Sequence, residues 1–298
     1  MAIKITFRSH KGGVAKTTLT YNAATYLTEK GYKVLCVDTD PQGSLTDVLT
    51  HKWTKTNIDG DLIWHGENCV NLEGISTKSM FDGTVSEKDK ILTASHGIDL
   101  IYMAPNNFQA GVIMSNTDNC ARFLTEINKI IDPYDFVFFD LPPTVTTYVI
   151  SILTDVDYFI VPQTVAANLV AASGEYKIIN SINKADNLLG VVINKMDQYS
   201  REHVRAEKLL RDKLGNEIFS STIHQSSAID TSLARNIPLS KVAGGAKAAK
   251  EMQAVFEEML ARIYVKQAKA IQAGVFKGSE KEKQRVVDYI KARMQSAG

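Results

Sequence analysis

Residues 2–19 read AIKITFRSHKGGVAKTTL. Residues 2–8 have the composition of a strand, and residues 16–30 read as a helix stopped by Gly31. The loop between them resembles a phosphate-binding loop, yet the spacing G-x-x-x-x-G-K-[ST] fails. Counting back from Lys16, His10 and Ala15 occupy the glycine positions; Gly12 and Gly13 are central, behind a second lysine, Lys11. Adjacent glycines let the main chain turn tightly, so that N–H groups of Gly12, Gly13, Val14 and Ala15 can face an anion. The helix start adds its positive end. Lys16 is placed to reach β- and γ-phosphates, Thr17 to offer a hydroxyl to Mg2+, and Thr18 to offer another to phosphate.

Apolar runs of strand length recur downstream: KVLCVD (33–38), IDLIYM (98–103), DFVFFD (135–140), DYFIVP (157–162) and LLGVVIN (188–194). They show little polar alternation, as expected of strands covered on both faces in a parallel sheet. Helical stretches at about 108–131, 166–182 and 199–214 separate them. Strand and helix in alternation predict an α/β doubly wound fold with a mostly parallel sheet and helices on both faces. Residues 51–97 are richer in Gly, Asn, Ser and Thr and read as an elaborated connection. Two terminal helices are expected at 244–272 and 279–296. The division expected is a nucleotide domain over 1–262 and a helical extension over 263–298.

In such a sheet, ligands collect where strands end and helices begin. The second strand ends in VDTDPQGS, so Asp38 and Asp40 leave one face of an extended segment toward the loop. A carboxylate there can hold a metal-bound water or orient an attacking one; Asp40 also opens an Asp-Pro turn. Asp140 closes FVFFDLPP, a hydrophobic strand ending in an acid, which is the Walker B arrangement for supporting Mg2+.

Together these motifs, a leading lysine before G-G-x-x-K-[ST], then D-x-D-P-Q-G, then a strand ending D-x-P-P, resemble the ParA family of deviant Walker A ATPases. The resemblance spans residues 3 to about 260. It implies ATP and Mg2+ as cofactors, with weak intrinsic hydrolysis. Lys11 matches the signature lysine that crosses a nucleotide-sandwich homodimer, Lys16 the catalytic loop lysine and Thr17 the metal ligand. Asp38 and Asp140 are the further metal candidates, and Asp40 matches the residue that positions water. Two facing γ-phosphates would repel, and a lysine from each subunit offsets that only while the γ-phosphate is present. The resemblance further implies non-specific DNA binding by the ATP dimer, a ParB-type adaptor that stimulates hydrolysis, and a cytoplasmic, nucleoid-associated protein.

The stretch INKMD (193–197) carries the N-K-x-D pattern that reads guanine in GTPases. Asp140 is followed by Leu-Pro-Pro rather than D-x-x-G, and Lys11 has no place in a GTPase loop. ATP is therefore expected, with Asn194 matching a family residue that meets the adenine edge. Asp197 can also cap a helix starting near Ser200. Where relatives have Ile-Pro, this chain has Ile223-His224, and His224 is expected at the rim of the base pocket. Candidate DNA contacts are Arg201, Arg205 and Lys208 at helical spacing, with Arg211, and then Arg235, Lys241, Lys247 and Lys250.

Composition agrees with a globular protein: 298 residues, 44% hydrophobic and 22% charged, net charge +1. From Lys241 onward twelve Lys/Arg face six acidic residues, so the terminal part is basic. Cys36, Cys69 and Cys120 are too scattered for a disulfide framework or a zinc site. They also argue against an iron–sulfur ATPase. No signal peptide, membrane span or N-terminal helix-turn-helix is expected. A membrane-binding, MinD-like alternative would need an amphipathic tail; Val286, Val287, Ile290 and Met294 form a thin stripe lacking Trp, Phe and Leu. Packing of that helix on its own domain or on a partner is expected instead.

Overall fold

Alternate residues of each apolar run are buried on opposite faces of one sheet. Ile5, Phe7, Cys36, Phe136 and Phe138 join one core cluster, while Leu35, Val37, Val137, Phe139 and Val161 join the other. The period of two along a strand makes this division, and two covered faces explain why the runs carry no polar alternation. The computed structural model describes residues 2–50, 54–56, 62–64, 72–104, 108–165 and 169–296. In chain order these form β1 (Ile3–Phe7), α1 (Lys16–Glu29), β2 (Val34–Asp38), α2 (Ser44–Thr50), β3 (Thr54–Thr56), β4 (Leu62–Trp64), α3 (Thr77–Asp82), β5 (Leu92–Thr93), β6 (Asp99–Ile101), α4 (Phe108–Met114) and α5 (Thr117–Ile130). There follow β7 (Phe136–Asp140), α6 (Thr147–Asp155), β8 (Tyr158–Thr164), α7 (Leu169–Ser181), β9 (Leu188–Met196), α8 (Arg201–Leu214), β10 (Ile218–His224), α9 (Ser227–Arg235), α10 (Ala246–Gln272) and α11 (Glu280–Ser296).

The main sheet has eight strands in the order β10-β9-β8-β1-β7-β2-β6-β5. Its pairings are parallel except at the edge, where β5 runs antiparallel to β6. The doubly wound α/β expectation therefore holds. This order places β1, β7 and β2 side by side, so the three motif-bearing strands end at one stretch of the sheet's carboxyl edge. Asp38 and Asp140 are register partners across β2 and β7.

Several boundaries differ from expectation. The single helix expected over 108–131 is two helices, because the Asn116 side chain accepts from the N–H groups of Asp118 and Asn119 and starts α5 anew. Within 51–97, β3 and β4 form an antiparallel hairpin and α3 carries a Ser76 capping box. Cys69 lies outside the described residues. The expected boundary at 262/263 falls inside the continuous helix α10. Helix α11 packs back on the domain: Val286 is buried in the core, Tyr289 stacks near Tyr264, and Arg285 pairs with Asp135 at 2.5 Å. Among the described residues, no helix is long and apolar enough to cross a membrane.

Candidate nucleotide site

The loop joining β1 to α1 turns through two left-handed residues, Gly13 at φ 73° and Ala15 at φ 72°. Ala15 is the residue before α1 and gives it no side-chain cap. A non-glycine residue held there costs roughly 1–2 kcal/mol, so the loop keeps the glycine conformation without the glycine. Gly12 and Gly13 are exposed, and Val14 is buried. Lys11 is half-buried, and its N–H donates to Ser9 Oγ at 3.3 Å. The Lys16 ammonium is buried and bends back onto the Lys11 carbonyl at 3.4 Å. Burial pulls its pKa below the ordinary lysine value, against the opposing attraction of Asp140.

Thr17 Oγ donates to Asp140 Oδ2 at 2.7 Å, joining the start of α1 to the end of β7. Asp140 is almost fully buried, and its Oδ1 has no hydrogen-bond partner. Desolvation, with Asp40 adding to it, pushes its carboxyl up to about 7 while the Thr17 bond works the other way. An acid whose one oxygen fixes a threonine and whose other oxygen is orphaned suits a hydrated cation at the threonine hydroxyl. Among the described residues, no cluster of three or more His, Cys, Asp or Glu could hold a metal alone. That donor set suits Mg2+, which keeps waters and phosphate oxygens as ligands.

Asp38 behaves differently from its register partner. Its Oδ2 accepts from Thr46 N (2.8 Å) and Thr46 Oγ (2.7 Å), and its Oδ1 accepts from Asp40 N (3.2 Å). These bonds use the carboxylate to fix the start of α2. Asp40 does face the loop side, half-buried, with Oδ1 accepting from Gln42 N in the expected Asp-Pro turn. Burial raises its pKa while Lys16 lowers it. Thr18 is half-buried in the first turn of α1.

Asn194 is engaged with main chain as well. Its Nδ2 donates to the Val14 carbonyl at 3.0 Å, and its Oδ1 accepts from Lys195 N at 2.9 Å. The side chain ties β9 to the phosphate loop. Asp197 is likewise engaged, accepting from Tyr199 N, and the cap of α8 is Ser200 rather than Asp197. Both ends of N-K-x-D thus hold main chain. Beyond β9 and β10 lies a cavity of about 400 Å3, lined by Met196, Asp197, Tyr199, His224 and Lys247 among others. His224 sits at its rim as expected, with Nδ1 2.8 Å from Glu251 Oε1.

Of the basic candidates, Arg201, Arg205 and Lys208 are exposed along α8, and Arg235, Lys241 and Lys250 are exposed beyond it. Arg211 is not free: it binds Glu207, the Phe219 carbonyl and Thr222. Lys247 is held by Gln198 at 3.0 Å and lies 3.8 Å from Glu251. Cys36 and Cys120 are buried in the core, so neither presents a thiol as a surface ligand. Sequence reading missed Arg8 and Glu175, both wholly buried at the root of the loop, 3.4 Å apart. The signal was present in Arg8, a charge directly after β1 where the chain leads into the loop.

Residues 2–195 match the family described as an AAA domain. The chain is 24% identical over 269 residues to the chromosome-partitioning ATPase Soj of Thermus thermophilus, covering 87% of this chain and 96% of that one. A putative plasmid partition protein from Borrelia burgdorferi, solved with AMPPNP, superposes with a TM-score of 0.71 at 21% identity, over 88% of this chain and 100% of that one. An ATP complex of Cyanothece McdA superposes at 0.70 with 20% identity, over 87% and 96% of the two chains.

Proposed function

Because the chain belongs to the ParA family of P-loop ATPases and hydrolyses ATP with Mg2+, we propose that it is a DNA-partition switch whose ATP-bound homodimer holds DNA. The observation that carries the site is the Thr17–Asp140 bond beside the buried Lys16. Gly12, Gly13, Val14 and Ala15 wrap the phosphates with main-chain N–H groups. Lys16 neutralises the β- and γ-phosphates, and Thr18 donates to phosphate. Thr17, with Asp140 behind it, would hold Mg2+, which would supply charge neutralisation on the phosphoryl group. Asp40 orients the attacking water. Lys11 reaches the partner subunit's phosphates, so loss of the γ-phosphate removes the reason to dimerise.

The cavity beyond β9 and β10 is the base pocket, with His224 at its rim. The DNA footprint is reduced to Arg201, Arg205, Lys208, Arg235, Lys241 and Lys250, which are exposed; Lys247 is set aside because Gln198 and Glu251 hold it. Binding through such residues releases counterions and weakens steeply with salt. A ParB-type adaptor accelerates hydrolysis, and the protein is nucleoid-associated. The burial of Val286 in α11 favours this reading over a membrane-bound one, since it removes the first residue of the tail's apolar stripe from the surface.

The deciding experiment is retention of DNA by the purified protein with ATP, GTP, ADP or no nucleotide, beside Lys11→Ala. ATP alone should give retention, and Lys11→Ala should lose it. Equal retention in all nucleotide states, or none with ATP at moderate salt, would remove the switch.

A further inference from the structure

Arg8 and Glu175 have no part in the scheme above, yet both side chains are fully buried beneath the phosphate loop. Burying a charged pair is unfavourable unless the surroundings satisfy it. Here the satisfaction is incomplete: Arg8 Nε and Glu175 Oε2, 3.4 Å apart, lack hydrogen-bond alignment. The remaining atoms of the pair are spent on the loops of the site. Glu175 Oε1 accepts from the main-chain N–H of His10 and lies 2.8 Å from His10 Nδ1. Arg8 Nη1 donates to the Pro142 carbonyl at 2.9 Å and, more weakly, to the Ser9 carbonyl at 3.3 Å. One end of the pair therefore holds the residue before Lys11, and the other holds the segment that follows Asp140.

A second, independent feature points to the same contact. A Cβ on Gly174 would come within 2.7 Å of His10 Cε1. Helix α7 thus presents a glycine where the His10 ring lies against it, next to the acid that binds His10. A glycine within a helix is intrinsically unfavourable, and its use here allows the loop to approach.

We propose that Arg8 and Glu175 are positioning residues for ATP hydrolysis, with Glu175 on α7 fixing the His10 main chain and thereby Lys11, and Arg8 fixing the Pro142 segment behind Asp140. The inference rests on the nucleotide reading of the loop. It makes α7 a mechanical neighbour of Lys11: a shift of that helix moves the lysine that distinguishes ATP from ADP.

The test compares the full-length wild type with Glu175→Gln and Gly174→Ala, measuring steady-state ATPase and the affinities for ATP and ADP. Glu175→Gln keeps size and one acceptor but removes the charge. Gly174→Ala leaves the ion pair intact and displaces only the His10 ring, and the melting temperatures of both variants separate a loss of turnover from unfolding. Both variants should lower kcat by about tenfold, with KM for ATP within about threefold, and should narrow the preference for ATP over ADP; misplacement of a reacting group produces losses of this size. Folded variants with turnover within about twofold of wild type and an unchanged ATP preference would overturn the positioning role. So would a rise in KM with kcat preserved. If the wild type itself neither binds nor hydrolyses ATP, the nucleotide reading fails first, which is a distinct result.

Discussion

The two edges of the main sheet treat buried charge in opposite ways. At the amino-terminal edge, charges are satisfied. Arg262 donates to the carbonyls of Leu189 and Ile218 at 2.7 Å each, pairs with Glu258, and lies over the Phe219 ring. Lys4 reaches Asp155 and Asn128, and Arg285 reaches Asp135. At the carboxyl edge, Asp140 Oδ1, Arg8 Nε and Glu175 Oε2 are buried without hydrogen-bond partners, and Lys16 rests on a carbonyl of its own loop. Tyr264 Oη is an exception at the amino-terminal side. Unsatisfied buried polar groups are rare and need a reason. For Asp140 Oδ1 the proposed reason is the nucleotide's cation, while Arg8 Nε and Glu175 Oε2 face only each other, 3.4 Å apart; the amino-terminal edge instead holds strands together.

The sharpest break of this comparison exchanges a charge at each edge. Lys16→Ala should lower kcat at least about 100-fold, the usual effect of removing one donor from a developing negative charge. Its melting temperature should stay near the wild-type value, because a desolvated ammonium is lost with it. Arg262→Ala should do the reverse. Loss of two carbonyl bonds and a carboxylate partner should cost about 2–3 kcal/mol. That is a fall in melting temperature of roughly 5–10 °C, with turnover within about twofold. Paired thermal melts and ATPase assays decide it. A large activity loss in Arg262→Ala with unchanged stability would show that the edges are not separate.

A smaller effect follows from Asp140. Its folded-state pKa, raised to about 7 chiefly by burial, stands above its ordinary value of 3.8. A raised pKa contributes stability in full below the unfolded value, and that contribution is lost as pH rises through the folded one. The nucleotide-free protein should therefore lose melting temperature between about pH 4 and pH 7, relative to Asp140→Asn over the same range. Mg2+ with nucleotide should flatten the wild-type curve by giving the carboxylate its cation. Parallel wild-type and Asp140→Asn curves would mean that Asp140 is ionised throughout. Asp38, whose pKa is also raised by burial, adds a slope of the same sign in both proteins.

How much of this was legible in the sequence depends on whether a residue's partners are near it in the chain. The strands were readable because each is covered on both faces, which leaves an apolar run without alternation. The loop was readable because Gly12, Gly13, Lys16 and Thr17 act within a few residues of one another. Asp140 was readable because a buried strand ending in an acid is itself unusual. The structural bonds of Asp38 were not legible because its partners, Thr46 and the N–H of Asp40, meet it through a turn whose shape the spacing D-x-D does not reveal. The tie from Asn194 to the loop was not legible because its partner is Val14, 180 positions away. Glu175 was invisible for the same reason, since its contacts lie at residues 8 and 10.

The smallest effect concerns three backbone positions with positive φ. Ala15 holds φ 72° at the carboxyl edge with a side chain that glycine would not carry. Ala15→Gly removes a cost of roughly 1 kcal/mol but gives the unfolded chain freedom worth about 0.4–1 kcal/mol. The net should be a gain below about 1 kcal/mol, or at most a few degrees in melting temperature, with ATP affinity within about twofold. Gly13→Ala, at φ 73° with nothing within 4 Å of a new Cβ, should lose about 1 kcal/mol through strain alone. Gly190→Ala, at the amino-terminal edge, is a different case. Its Cβ would fall 2.3 Å from the Glu217 carbonyl oxygen and 2.7 Å from Arg262 Nη1, so the change should exceed both in cost and disturb the Arg262 contacts. Melting temperatures of the three variants order the two edges by backbone alone. If Ala15→Gly instead weakens ATP binding tenfold while stabilising the fold, the strain at Ala15 is itself part of how the loop is held open for phosphate.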